Sequence, residues 1–384
     1  MKKILFVGVY PNILQENRNV FFRNLIYALA DKGEDCYVIS PVSVVRYRKN
    51  ISKIPKEEIQ ITPKGAKVHV FYPRCFSASS IDLKVFNTDV ISEYLFEKSV
   101  ISTALKLNVD FDAVYGHFFL QGGLAAIKVG RKLNIPSFVA YGECDYESQI
   151  KKLHGDIKEK DIKGLTGVIS VSSKNAKDLK NTGLFDNIPI CLAVNAVDHT
   201  LLQKSDKEES RKKFGLPNDK FIVGVTGGFS HRKGQKRVLE ACNQVEDVYM
   251  AFAGWGEDVP AGERVLFAGE VKHDDINLFL SAVDVFMLPT LNEGCCNAIL
   301  EAMATEKPIV SSALPFNDDI LTNENSIKVD PLSIEELKEA VIKLKREADF
   351  RNSIAKKAYE DSLNLTIERR AEKIYNFMFV NQDV

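Results

Sequence analysis

VFMLPTLNEGCCNAILEAMATEKPIVSS, residues 285–312, decides the fold. It opens on a short apolar run, VFMLP (285–289), and closes on another, PIVSS (308–312). Between them a polar loop gives way to a helix beginning near Cys296. Short continuous apolar runs read as strands covered on both faces, and a helix joining two of them makes a parallel βαβ unit. The same scheme extends through the second half of the chain, in FIVGVTG (221–227), VYMAFAG (248–254), VLFAG (265–269) and IKV (327–329). It also fills the first half, with ILFVGV (4–9), CYVIS (36–40), KVHVFY (67–72), AVYGHF (113–118), SFVAYG (137–142), GVISVS (167–172) and ICLAV (190–194). The helix from Val20 should stop at Gly33, a good C-terminal cap. A polar stretch, Asp198 to Asn218, separates the halves. Its charged run KSDKEESRKK (204–213) reads as a solvated helix face just after a hinge. The expectation is two successive Rossmann-like α/β domains, residues 1–197 and 198–365.

Composition agrees with two ordinary globular domains. The 384 residues are 45% hydrophobic and 27% charged, which excludes disorder as the main state. Lys and Arg number 51 against 52 Asp and Glu, so no global basic field marks a nucleic-acid partner. The opening MKKILFVGVYPN resembles a signal peptide only briefly, because its apolar run is short and meets Pro11. No stretch reaches the ~18 apolar residues of a membrane span. Seven scattered cysteines without a C-x-x-C pair fit neither a disulfide framework nor a zinc cage. The expected location is the cytoplasm, either free or peripheral at the cytoplasmic face of a membrane.

Ligands of doubly wound domains collect at the C-terminal ends of strands. No G-x-G-x-x-G, no G-K-[ST] and no G-x-S-x-G occurs, which argues against dehydrogenases, P-loop ATPases and α/β-hydrolases. Asp110-Phe111-Asp112 reads as a helix-to-strand turn rather than a metal pair. GGFSHRKGQ (227–235) follows a buried strand and leads into a helix. Gly227 and Gly228 allow close backbone approach, and Arg232 and Lys233 supply two cations, the ingredients of a diphosphate cradle. A polar loop with incidental basic residues is the competing reading. Further on, Glu293 ends a loop, Gly294 relaxes it, and Glu301 lies about 7.5 Å further along the next helix at ~1.5 Å per residue. Carboxylates accept bidentately from vicinal sugar hydroxyls, so one could hold a hexose and the other a ribose. Glu301 stands among Ala298, Ile299, Leu300, Ala302 and Met303, where an acid normally has a partner.

With these residues in view, the chain resembles the retaining glycosyltransferases of the GT-B fold that carry the E-x7-E motif, glycosyltransferase family 4-like, glycosyl transferases group 1. EGCCNAILE (293–301) matches the motif, and EAMATEKPIV (301–310) resembles the segment on its C-terminal side. AGWGED (253–258), VNAVD (194–198), YGHF (115–118) and AYGECD (140–145) are similar to its glycine turn, its N-G-V-D hinge, its histidine strand end and its H-G-x-D turn. The resemblance implies two Rossmann-like domains facing a cleft, the first serving the acceptor and the second the donor, with a last helix (366–384) crossing back to the first. It implies that Lys233 neutralises the donor diphosphate, Glu301 binds the ribose and Glu293 the sugar hydroxyls. Amides around Cys295, Cys296 and Asn297 cap the distal phosphate, Val271 and Lys272 lie where the base is held, and His117 touches the donor sugar. It further implies retention by a front-face route without a catalytic metal or cofactor. The implied donor is a nucleotide-diphosphate sugar, UDP-linked rather than GDP-linked. The implied acceptor is a glycan or lipid-linked saccharide of surface polysaccharide biosynthesis.

The chain departs from that pattern in places. Gly228 stands where the family has Arg, leaving Arg232 as the substitute cation. Tyr141 replaces the turn histidine, Ala196 the hinge glycine, and Leu14 to Asn19 the glycine pair after the first strand, so that this loop is free to serve the acceptor. Trp255 is expected to pack, Cys295 and Cys296 to be small neighbours of a phosphate, and Phe21, Phe22 and Arg23 to sit on a buried helix face. In the last helix Ile367, Ala371, Ile374, Tyr375 and Met378 form an apolar stripe, with Arg369, Arg370 and Lys373 on other faces. A nucleotide-sugar epimerase of the same architecture and a non-catalytic two-domain sugar binder remain as rivals.

Overall fold

The structure is a computed structural model that describes residues 1–16, 18–77, 89–151 and 157–380. It divides into two compact units, Met1–Val194 with Ile367–Val384, and Asn195–Thr366.

The strands of the first unit are β1 (Lys3–Val7), β2 (Asp35–Ile39), β3 (Val42–Ser43), β4 (Glu57–Ile61), β5 (Lys67–Phe71), β6 (Arg74–Cys75), β7 (Ala113–His117), β8 (Ser137–Tyr141), β9 (Leu165–Ser170) and β10 (Ile190–Leu192). Eight of them form one sheet in the order β10-β9-β8-β7-β1-β2-β5-β4, and β3 pairs with β6 beside it. All pairs in the large sheet are parallel except β4 with β5. Every strand that an apolar run marks in the first half is present. β4 has no such mark, because EEIQI is an edge strand with a wet face. Ile59 and Ile61 there are 57% and 56% exposed, so no continuous apolar run announces it.

Alternation along β1 sends side chains to opposite layers. Leu5 and Val7 pack with Val100 of the helix Asp89–Leu107 and with Ala125 and Val129 of the helix Leu124–Leu133. Phe6 instead meets Phe22 and Tyr115. Phe22 belongs to the helix Val20–Asp31, which ends at Lys32 before Gly33 in the left-handed region (φ 97°).

The last helix, Ile367–Phe379, packs on Val20–Asp31 in the first unit. Ile367, Ala371, Ile374 and Met378 are buried as their spacing implies. Arg370 corrects the expectation. It is 5% exposed rather than on an outer face, and its Nε donates to the Ala193 carbonyl at 3.3 Å. The buried arc of the helix is wider than its apolar residues, because a guanidinium that finds a carbonyl can be buried too. Phe377 packs edge-on to Phe138, in space that only a glycine at 167 leaves open. A Cβ there would lie 2.6 Å from the Phe377 ring.

The second unit holds β11 (Phe221–Thr226), β12 (Val248–Ala253), β13 (Val265–Gly269), β14 (Val285–Leu288), β15 (Ile309–Ser312) and β16 (Ile327–Val329), all parallel, in the order β13-β12-β11-β14-β15-β16. The helix Lys207–Phe214 opens it, capped by Asp206, which accepts from Glu209 N at 2.9 Å. This charged run is not the wholly solvated face that its composition suggests. Arg211 is 2% exposed, paired with Asp284 at 2.8 Å and bonded to the carbonyls of Ala282, Pro217 and Asn218. Full satisfaction of the guanidinium makes that burial tolerable. Among the described residues no helix is long and apolar enough to cross a membrane.

Candidate functional site

In the second sheet the chain runs outward from β11 in both directions, so the switch point lies between β11 and β14. Two loops leave that point, 227–234 after β11 and 289–296 after β14, and each leads into a helix, Gln235–Asn243 and Asn297–Ala304. Gly227 (φ 127°) and Gly234 (φ 84°) adopt left-handed backbone in the first loop. At Gly234 a Cβ would also strike the Pro289 carbonyl at 2.7 Å, so the two loops touch there.

That contact brings Arg232, Lys233 and Glu293 together. Lys233 Nζ lies 2.7 Å and Arg232 Nη1 2.5 Å from Glu293 Oε1, which also accepts from Thr290 Oγ1 at 3.0 Å. Burial alone would raise the Glu293 pKa, but the two cations hold it below the ordinary carboxylate range. Lys233 is likewise kept charged against its burial, by the Glu293 carboxylate beside it. The cluster therefore carries two positive charges against one negative. It sits at the N-terminal end of the helix Asn297–Ala304, where the dipole adds to the positive potential.

The remaining residues singled out in the sequence lie around it. Gly294 and Cys296 are buried, Cys295 and Asn297 half-buried, and neither cysteine is disulfide-bonded. Burial pushes the Cys296 thiol up to about 11 despite Lys233 nearby. Gly228 is bounded loosely. A Cβ would meet only the Trp255 carbonyl at 3.6 Å, so its lack of a side chain is not imposed by crowding. Val271 packs on the cluster around Phe279, and Lys272 is exposed. Trp255 overturns the packing expectation, being 71% exposed. Its neighbours Gly254 and Gly256 are glycines for a local reason, since a Cβ at either would strike the Gly227 or Phe229 carbonyl within 2.4 Å.

Sequence reasoning missed Asn195, whose side chain donates to the Cys295 carbonyl at 3.2 Å and to Asn297 Oδ1 at 2.9 Å. In the sequence it reads only as part of a hinge. Being 7% exposed, it fixes the start of the helix from within the unit.

In the first unit His117 ends β7 at 5% exposure, stacked on Phe22 at 4.1 Å between centroids. Neither ring nitrogen has a hydrogen-bond partner. Burial, with Arg370 adding to it, holds the imidazole well below its ordinary pKa, so it is neutral at pH 7. Two unsatisfied nitrogens on a buried neutral ring are costly unless a ligand completes them. Nearby Glu143, which the sequence offers only as part of the AYGECD turn, accepts from the amides of Phe119 (2.7 Å), Leu120 (3.3 Å) and Gly142 (3.1 Å) and braces the loop after His117. Asp112 accepts from Lys3 N at 2.8 Å and Lys2 Nζ at 2.9 Å, as the turn reading implies.

Residues 206–361 match the family described as Glycosyl transferases group 1. They form a group 1 glycosyltransferase domain. Beyond it, the chain is 25% identical over 379 residues to TuaC of Bacillus subtilis, named for teichuronic acid biosynthesis, covering 94% of this chain and 93% of that protein. It is 24% identical over 378 residues to the Campylobacter jejuni N,N'-diacetylbacillosaminyl-diphospho-undecaprenol alpha-1,3-N-acetylgalactosaminyltransferase, covering 93% and 95%. The structure of HepE from Anabaena, solved with UDP and glucose, superposes with a TM-score of 0.70 at 16% identity, covering 98% of this chain and 99% of that one. The fold is GT-B.

Within this domain Glu301 is the fifth residue of the helix Asn297–Ala304, and its partner is His273 Nε2 at 3.8 Å. Burial pushes its carboxyl up to about 7, against the pull of Lys233. The folded protein therefore holds a proton on Glu301 that the unfolded chain releases near pH ~4.3. Stability from this group is full below that value and is lost as pH rises through 7. Glu301→Gln removes the penalty of charging, roughly 3 kcal/mol at most. The variant should melt higher than the parent at pH 8 and equal to it near pH 4.5. An equal shift at both pH values would show that the gain is unrelated to the proton.

Proposed function

We propose that the protein is a retaining glycosyltransferase that moves a hexose from a UDP-sugar to a hydroxyl of a glycan or lipid-linked saccharide. The setting is surface polysaccharide or glycoconjugate biosynthesis, in the cytoplasm or at its membrane face. The observation that carries this reading is the buried Lys233–Glu293–Arg232 cluster at the start of the helix bearing Glu301. Loss of a diphosphate leaving group needs positive charge already in place as the glycosidic bond breaks. Glu293 keeps both cations oriented and charged before the donor arrives. The diphosphate then takes over the cations and the helix-end amides, and Glu293 turns to the sugar hydroxyls. Glu301 accepts from the ribose through its carboxyl oxygens. His117, neutral and with both buried nitrogens unpartnered, is the first unit's candidate for a hydrogen bond to a sugar hydroxyl. The name of the Campylobacter relative and the ligands of HepE support the acceptor and donor classes.

Calorimetry with UDP and with UDP-sugars tests the division of labour. Glu301→Ala should weaken both ligands about equally. Glu293→Ala should spare UDP, or tighten it by releasing the cations, and weaken only the sugar-bearing donor. Equal losses in the two variants would sink the assignment. Nucleotide release that depends on added acceptor, with the product anomer read by NMR, separates transfer from epimerisation and retention from inversion.

A further inference from the structure

Beyond the ends of β1 and β2 the first unit contains a cavity of about 280 Å³. Asn12, Arg18, Ser43, Arg46 and Tyr47 are among the described residues lining it, and no described Asp or Glu is. Gln15 Oε1 accepts from Arg18 Nη1 at 3.0 Å and from the Tyr47 hydroxyl, which fixes one guanidinium at the wall. Arg46 is exposed, and its backbone N–H donates to Ser43 Oγ at 3.1 Å. Among the described residues neither arginine is in an ion pair. Both guanidinium side chains line the same cavity; burial, and after it Arg46, lower the Arg18 pKa, while Tyr47 raises it. Such a pair is costly until an anion joins it, and the fork of a guanidinium matches phosphate oxygens. Ile13, Val45 and Phe76, next in the chain to lining residues Asn12, Arg46 and Cys75, are 61%, 47% and 65% exposed.

We propose that the Arg18–Arg46 cavity binds the phosphate or diphosphate group of the acceptor. This rests on the transferase reading above and names the acceptor's anionic group. The phosphate belongs either to a lipid carrier, whose chain the exposed Ile13, Val45 and Phe76 would meet, or to a water-soluble phosphorylated saccharide. Either way the cavity holds the part of the acceptor that does not react.

The full-length protein is tested by co-sedimentation with phosphatidylcholine vesicles carrying a polyprenyl diphosphate, with phosphatidylcholine alone, and by calorimetry with inorganic pyrophosphate. The diphosphate measurements are repeated in the Arg232→Ala, Lys233→Ala double variant, so that these two cations of the second unit do not contribute. Arg18→Ala and Arg46→Ala should each weaken the diphosphate probe roughly tenfold or more while leaving UDP affinity unchanged. Arg46 is exposed, so its replacement leaves the fold intact, and melting curves check this for both variants. Tighter binding to carrier vesicles than to pyrophosphate assigns the lipid source, and equal binding the soluble one. Unchanged diphosphate binding in both arginine variants overturns the proposal. If the parent binds no nucleotide yet holds the diphosphate through both arginines, the transferase reading fails and the phosphate site stands.

Discussion

Lys233→Ala should lower turnover roughly 10²-fold or more, with the protein still folded. Lys233 has only 14% of its side chain exposed, against 41% for Arg232, so its charge acts in the drier surroundings. Taking one cation from a desolvated diphosphate costs about 2–4 kcal/mol in the transition state. The lost charge does not orphan its partner, because Glu293 keeps Arg232 at 2.5 Å and Thr290 at 3.0 Å. The melting temperature should therefore move little while kcat falls. Arg232→Ala should fall less, as a cation nearer solvent is more strongly screened. Full activity in Lys233→Ala alongside an inactive Arg232→Ala would show that the more exposed cation carries the leaving group.

Removal of residues 367–384 should cost the first unit roughly 5 kcal/mol or more, from the lost burial of Ile367, Ala371, Ile374 and Met378. That rivals the whole stability of an ordinary domain, about 5–15 kcal/mol. The truncation also exposes Phe138 and the groove at Gly167 that receives Phe377. It removes the Arg370 guanidinium from beside His117 and Tyr115 as well. Hydrogen exchange should accelerate by three orders of magnitude or so in the core strands between residues 1 and 194. Strands 221–329 should keep their protection. Unchanged exchange in the first unit would mean that the helix adds no stability to the surface it covers.

The same helix shows the limit of pattern reading. Its apolar spacing locates the buried face, yet Arg370 lies on that face too, with its Nε donating to a carbonyl near in space, at Ala193. The run 204–213 behaves alike: its charges fit a helix surface, and Asp284, far along the chain, draws Arg211 inside. Trp255 departs in the other direction, since a large aromatic ring suggests packing and the turn at 254–256 leaves it in solvent.

The sequence by itself determined the order of the apolar strands along the chain, the β/α alternation and the positions of Lys233, Glu293 and Glu301 on their loops and helix. Those come from local hydrophobic periodicity and glycine placement, which are one-dimensional properties. Only the tertiary structure decided that Glu293 is already held by Arg232 and Lys233, about sixty residues away. It also decided that His117 has two unpartnered nitrogens, that Asn195 braces the helix start, and that Arg18 and Arg46 share a cavity with no described acid in its lining. Pairing and desolvation depend on which loops meet at the ends of a sheet, and that proximity is set by strand order in space rather than along the chain.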